Sequence, residues 1–497
     1  MAISLRIFPS LYFPAICLAI LVAMALVGCE GIEAPQREGA LVVGALPEPG
    51  AIRLPDGSPA EGFTRDFLAA FAKHMGLPLK VIALDRTEDL EVMLRQKKVH
   101  IGAYVNTQPA PAGIVFSKTF LSMPMWIVRH ADDTGVDSLS DLLGHDVHAV
   151  EGSAALVALK ALPEHARPNV IEVKQGDQLD LLHRLALREV GLVAADDLNV
   201  KIAANIEPNL QPAIQLSGKR EVAFAMPEQE DTTLQAQLDG FIANSDENGL
   251  LRRLYDRYYG HVQRVGPVLL ARYLTDIKTV LPKFRGEFQK AQERTGLDWR
   301  LLAALAYQES KWDPAATSST NVRGMMMLTE ETADRLRVDN RLDAAQSIDG
   351  GADYLQFLLE QLPHTVPGPE RPWFALAAYN LGMGHLNGAR AIAKGLNRDA
   401  DSWYEMKSVL PLLSRPQYYD RLKSGRARGG EAVILVENVR NFYGVLTRIE
   451  PPHVLPLSQA GKAKPKQTSK RRLTSSNAAQ GIRPAQAPGL RLPSPPQ

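Results

Sequence analysis

The chain has 497 residues, 45% of them hydrophobic and 22% charged, a globular composition long enough for two or three domains. Lysine and arginine total 56 against 55 acidic residues, and the missing basic excess argues against a nucleic-acid partner. Aromatic content of 6% with a mean hydropathy of −0.14 excludes a disordered chain and a polytopic membrane protein. The cysteines, Cys17 and Cys29, provide neither a disulfide framework nor a Cys-rich zinc site, and no metal or cofactor is expected.

In chain order, Arg6 precedes an apolar run from Ile7 to Val27 that contains Pro9, Ser10 and Pro14. A basic start, an apolar middle and small residues before a cut read as a secretory signal over residues 1–28. Its end, Leu26-Val27-Gly28-Cys29, resembles the lipobox of bacterial lipoproteins. That resemblance implies lipidation of Cys29 and a linker over 29–39; an uncleaved anchor helix with an incidental cysteine is the competing reading. One acyl chain binds a membrane only marginally, so firm anchoring requires several. Glu30 is not the aspartate that commonly retains lipoproteins in the inner membrane, which favours outer-membrane lipid as the anchor.

From residue 40 to 265, short apolar runs alternate with helical patterns. Leu41 to Leu46 and Leu79 to Leu84 read as strands, Arg65 to Met75 as a helix with Phe67, Leu68, Phe71 and Met75 on one side. The alternation predicts an open α/β sheet. Between 270 and 450 the strand signals fade, and Trp299 to Gln308, Ala345 to Leu362 and Trp373 to Tyr379 predict an all-α domain. The tail over 451–497 holds nine prolines, eight basic residues and no acid. It cannot bury enough apolar surface to offset chain entropy and reads as disordered.

Glu309 lies about 20° from Leu302 and about 40° from Leu305 on a helical wheel, so its carboxylate projects from the apolar face. A carboxyl turned into a core or cleft loses hydration, and its pKa rises. An acid still protonated near neutral pH is what a glycosidic oxygen needs from a general acid. Glu330 and Glu331 after Thr329 read as first-turn helix residues, and Asp313 before Pro314 as a turn residue, so no second carboxylate stands out.

Three blocks follow one another within about seventy residues: Glu309-Ser310, Gly324-Met325-Met326-Met327-Leu328-Thr329 and Ala377-Ala378-Tyr379-Asn380. Their order and spacing resemble the goose-lysozyme-like catalytic domain of lytic transglycosylases. Methionine at 327 instead of the usual glutamine, with Val322-Arg323 before it, is similar to a membrane-bound subgroup of that family. The resemblance implies cleavage of peptidoglycan glycan strands between N-acetylmuramic acid and N-acetylglucosamine, with Glu309 acting first as acid and then as base. The muramoyl C6 hydroxyl closes a 1,6-anhydro ring and no water is consumed. By the same resemblance Ser310 orients the acetamido group or Glu309, Met327 lines the sugar cleft, and Tyr379 and Asn380 bond the sugar or Glu309. Tyr443 is a weaker candidate for the opposite wall.

The front segment resembles the periplasmic solute-binding proteins for polar amino acids, through Gly62-Phe63-Thr64-Arg65-Asp66-Phe67. In Thr107-Gln108-Pro109-Ala110, Ala110 stands where those proteins place a carboxylate-binding arginine. A muropeptide or stem peptide is therefore the expected ligand rather than a free amino acid. Asp196 reads as a loop carboxylate, and the pair His145 and His148 as a surface pair. The expected fold is thus multidomain: an α/β periplasmic-binding-protein-like domain followed by an all-α lysozyme-like domain. The expected activity is a lytic transglycosylase; a hydrolytic muramidase and a non-catalytic peptidoglycan-binding lipoprotein are the alternatives.

Overall fold

The computed structural model describes residues 31–454 apart from 47, 49–51, 54–58, 107–110 and 263–264. The signal segment, Cys29, Ala110 and the tail beyond 454 lie outside the described residues. The chain divides into two compact units. One holds residues up to Met125 with Glu151–Leu162 and Leu216–Leu251; the other holds Trp126–Val150, Pro163–Gln215 and everything from Arg252.

In the first unit, strand β1 (Leu41–Ala45) pairs in parallel with β4 (Leu79–Ala83) and β5 (Ile101–Asn106), Leu41 facing Leu79 and Val43 facing Ile101. Leu41 to Gly44 are all buried, as befits a parallel strand covered on both faces. Gly44 and Gly102 make room for Leu90 of the helix Thr87–Arg95: a Cβ at either position would sit within 3 Å of that side chain. The helix Phe63–His74 buries Phe63, Phe67, Leu68 and Phe71. Phe67 stacks on Phe224 at 5.5 Å, and Phe224 on Phe120 at 4.3 Å. Residues 32–38 are not a free linker, because the Ile32 amide donates to the Lys97 carbonyl at 2.7 Å. The buried His100 ring also takes the Val42 amide on Nδ1 and meets the Glu33 carbonyl through Nε2 at 2.7 Å.

The strands Leu121–His130, Leu192–Asp196, Asp146–Val150 and Asn169–Val173 neighbour one another in that order, Asp146–Val150 running parallel to both of its neighbours. Asp196 is 1% exposed and caps the helix Asp197–Ala204 by accepting the Asn199 amide. It is a structural carboxylate.

The rest of the second unit is helical. We number its helices α1 (Pro267–Thr279), α2 (Arg285–Thr295), α3 (Trp299–Ser310), α4 (Glu330–Leu336), α5 (Ala344–Gln361), α6 (Arg371–Leu381), α7 (Met383–Gly395), α8 (Trp403–Val409) and α9 (Gly429–Ile449). Helix α3 is apolar on nearly every side, with Trp299 to Tyr307 all buried, and so forms the centre of the bundle. Helix α9 packs along it. A buried ion network joins α8 and α9 to the preceding helix Leu250–Tyr259. Arg440 donates to Glu437 at 2.8 Å and to the carbonyls of Asp256 and Arg257 at 2.7 and 2.8 Å. Lys407 meets Asp256, and the Trp403 indole donates to Glu437 at 2.8 Å.

The expected tail begins later than residue 451. The Pro451 carbonyl accepts from the Trp299 indole at 3.4 Å, and His453 bonds Gln292 and Glu293. These residues are tied to α2 and α3 because Trp299 and Gln292 leave donors at that surface that need acceptors.

Candidate active site

Helix α3 opens on Asp298, whose carboxylate accepts the Arg300 amide at 2.9 Å. It ends abruptly, with Lys311 and Trp312 both in the left-handed region at φ 58° and 60°. Such a conformation costs a non-glycine residue roughly 1–2 kcal/mol. Packing offsets this: the Trp312 indole is 1% exposed, donates to the Ala303 carbonyl at 2.8 Å and lies 4.7 Å from the Tyr307 ring. The chain thus turns away directly after Glu309 and Ser310, leaving the end of the helix open.

Glu309 sits in the last turn, half-buried, with no hydrogen-bond or ion-pair partner among the described residues. Burial pushes its carboxyl up to about 8, against a downward pull from Lys311. Lys311 is itself lowered to about 8 by the same burial, with Glu309 opposing. Its ammonium donates to the Tyr307 carbonyl at 2.9 Å and lies 4.9 Å from the Tyr307 ring. The raised value keeps Glu309 protonated into the neutral range, and its O–H meets no acceptor among the described residues.

Beside it runs the turn Gly324–Leu328. Arg323 and Leu328 exchange backbone bonds at 3.1 and 3.0 Å, and the Met327 amide donates to the Gly324 carbonyl at 3.0 Å. Gly324 has φ +83°, and a Cβ there would collide with the Arg341 carbonyl, so only glycine fits. Side chains from three helices then hold successive backbone groups. Ser310 donates to the Met325 carbonyl at 2.8 Å, Ser347 accepts the Met326 amide at 3.1 Å, and Tyr379 donates to the Met326 carbonyl at 2.7 Å. Met325 and Met326 join the core, Met326 in space that Gly351 leaves open. Met327 is 9% exposed, at φ 48°, and lies outside that core cluster.

The structure places the expected site residues as follows. Ser310 spends its proton on the turn and does not reach outward, because its neighbour Met325 presents a buried carbonyl that needs a donor. Tyr379 likewise holds the turn rather than Glu309, although the two are close enough for burial and the Glu309 charge to push the Tyr379 phenol well up. Asn380 is half-buried next to it, its amide unpaired among the described residues. Tyr443 does not form a cleft wall near Glu309. It bonds Asp298 at 3.0 Å, at the opposite end of α3, roughly 16 Å along the axis. Thr329 caps α4 through the Thr332 amide, with Glu330 and Glu331 in its first turn, and Asp313 accepts the Ala315 amide in a turn. Neither acid group faces Glu309 as a second catalytic carboxylate.

Sequence reasoning missed Lys311, Ser347 and Tyr354. Lys311 was adjacent to the motif and could have been weighed, since a cation two residues from an acid alters its proton affinity. Ser347 carries no local signal, because its role exists only where α5 crosses the turn.

Comparison with known proteins agrees with this architecture. The family model for the transglycosylase SLT domain matches residues 286–402, and that for bacterial extracellular solute-binding proteins, family 3, matches residues 41–261. A membrane-bound lytic murein transglycosylase F of Methylobacillus flagellatus is 38% identical over 399 residues, covering 79% of this chain and 84% of its own. One from Nitrosospira multiformis is 37% identical, covering 79% and 82%. One from Ectopseudomonas mendocina is 35% identical, covering 88% and 91%. Among solved structures, a mutant arginine-binding protein of T. maritima aligns at a TM-score of 0.38 and 18% identity over 45% of this chain and 97% of its own, too weak a likeness to argue from. With a front part of the solute-binding kind and a helical transglycosylase part in one chain, the protein belongs to the membrane-bound lytic murein transglycosylase F family.

Proposed function

We propose that the protein is a peptidoglycan lytic transglycosylase that cleaves the bond between N-acetylmuramic acid and N-acetylglucosamine and leaves 1,6-anhydromuramoyl ends. The observation that carries this reading is Glu309: one buried acid, protonated at neutral pH, unpaired, and placed beside a rigid turn in a chain of this family. Its proton passes to the glycosidic oxygen as the C–O bond breaks, and the substrate's acetamido group supports the developing cation. The carboxylate so formed takes the proton of the muramoyl C6 hydroxyl, whose oxygen bonds C1. An intramolecular nucleophile needs no second carboxylate to activate water, and proximity favours it. Met327 supplies an apolar wall to the sugar, and Asn380 a free amide.

Digestion of purified sacculi by wild type and Glu309→Gln, with products weighed, tests this. The wild type is expected to release products lighter by one water than hydrolytic ones, and the variant essentially none. Products carrying the added water would favour a hydrolytic muramidase, and equal digestion by both proteins would remove the enzymatic reading.

Membrane attachment is proposed through lipidated Cys29 at the outer membrane. No helix among the described residues is long and apolar enough to cross a bilayer. Cys29→Ser is expected to move the protein from the outer-membrane fraction to the soluble one. The front part is proposed to take a muropeptide or stem peptide and to modulate the enzyme. Calorimetric titration of the full chain with stem peptides and with free amino acids checks this, and heat from neither would reject it.

A further inference from the structure

Outward from the methionine turn runs a ladder of rings. Tyr379, whose hydroxyl holds the Met326 carbonyl, meets the Tyr354 ring at 5.2 Å. Tyr354 and Phe357 stand three residues apart on α5 and share one face of it. The guanidinium of Arg335, near the end of α4, lies 5.5 Å from the Tyr354 ring and 5.2 Å from that of Phe357. Tyr354 is 8% exposed, whereas Phe357 is 38% exposed and Arg335 is exposed. The ladder therefore begins beside Glu309 and emerges at the surface under a cation.

A single exposed phenylalanine is ordinary. The difference here lies in the arginine above it. Two nearby arginines are committed: Arg341 donates to the carbonyls of Asn321 and Leu328 at 2.9 and 3.1 Å, and Arg294 pairs with Asp349 and Asp353. Arg335 has no carboxylate within ion-pair distance among the described residues, and Glu331 one turn earlier acts on Tyr354 only through longer-range charge. The Arg335 side chain also hydrogen-bonds the Tyr354 side chain, and because a guanidinium carries five N–H donors, others remain for a carboxylate.

We propose that Arg335 and Phe357, backed by Tyr354, form a subsite for the acidic peptide branch of the glycan strand. This rests on the transglycosylase reading above. The amino-sugar backbone is uncharged where the muramoyl acid is amidated, so carboxylates on this substrate come from the peptide. Phe357 meets the apolar face of a sugar, and Arg335 grips a carboxylate of the attached peptide. The subsite makes the enzyme prefer peptide-bearing strands.

The test uses the full chain with two preparations of glycan strands, one with peptides intact and one stripped by an amidase, its freed lactyl carboxylates then capped as methylamides. Release of anhydro ends is followed at steady state. Arg335→Gln is expected to raise KM about tenfold on peptide-bearing strands, the loss of one charge-assisted contact, with kcat unchanged and stripped strands unaffected. Arg335→Lys is expected to recover part of the loss. An equal KM change on both preparations, or none on peptide-bearing strands, overturns the proposal. Thermal melts of the variants matching wild type separate this from misfolding. Continued release of anhydro ends from stripped strands by Arg335→Gln separates failure here from failure of the Glu309 assignment.

Discussion

Glu309 is one residue from the end of a helix whose other side chains are almost all buried, and its behaviour follows from that position. A carboxyl raised from 4.5 to about 8 stays protonated through neutral pH. The folded protein then holds, between those values, a proton that the unfolded chain has released. Rising pH across that window therefore works against folding. Two outcomes are expected. The kcat/KM on glycan falls above about pH 8, close to tenfold per unit, as the acid loses its proton. Glu309→Gln raises the melting temperature more at pH 9 than at pH 4, which paired melts at the two values check. Lys311 pulls the Glu309 pKa down, so Lys311→Met is expected to move the alkaline limb of the rate profile upward. A pH–rate profile of that variant with an unmoved limb would show that the charge at 311 is not felt at Glu309. The apolar-face argument from helical periodicity anticipated the raised acid, because Leu302 and Leu305 define the direction Glu309 shares. It could not anticipate Lys311, whose ammonium folds back onto the Tyr307 carbonyl only because the chain turns left-handed there.

At the scale of elements, the methionine turn is the part the helices were assembled to hold. Ser310 on α3, Ser347 on α5 and Tyr379 on α6 each satisfy one backbone group of Met325 or Met326. Removing one partner leaves a buried polar group unsatisfied, at a cost of about 1–3 kcal/mol. Ser347→Ala and Tyr379→Phe are each expected to lower stability by that amount in denaturant unfolding, and to lower kcat several-fold because the turn beside Glu309 loosens. The double variant should fall short of the sum, since both act on Met326. Gly324→Ala combines a left-handed φ with a collision on the Arg341 carbonyl and is expected to fold poorly or not at all. In the sequence the Gly-Met-Met-Met-Leu-Thr block stands out only by its family resemblance, which does not foretell the turn it forms. Which side chains bind it was hidden, as they come from residues 310, 347 and 379, too far apart for any local pattern.

At the scale of the whole chain, the helix Leu250–Tyr259 is tied to α8 and α9 by the network of Asp256, Glu437, Lys407 and Arg440. Burial alone would raise the Glu437 pKa, but Arg440 and Lys407 bring it below the ordinary value. Its charge therefore stabilises the fold above that value, and the contribution is lost on acidification. Arg440→Met would leave Glu437 with only Lys407 and the Trp403 indole and would strand the Asp256 and Arg257 carbonyls, at about 3–5 kcal/mol. The expected outcome is a large drop in melting temperature at pH 7 that shrinks on acidification as Glu437 loses its charge; a drop independent of pH would assign the loss to packing instead.

Composition and local order alone determined a good deal: two kinds of architecture in one chain and the helix that carries Glu309 on its apolar side. These are legible because helical periodicity and strand alternation act over a few residues. Only the tertiary structure decided that Ser310 and Tyr379 face the turn, that Tyr443 belongs to Asp298, that residues 32–38 and 451–453 are bound to the body, and that Arg335 stands over Phe357. A hydrogen bond or ring contact is settled by which surfaces meet, and residues distant along the chain meet only after the helices and sheets have packed.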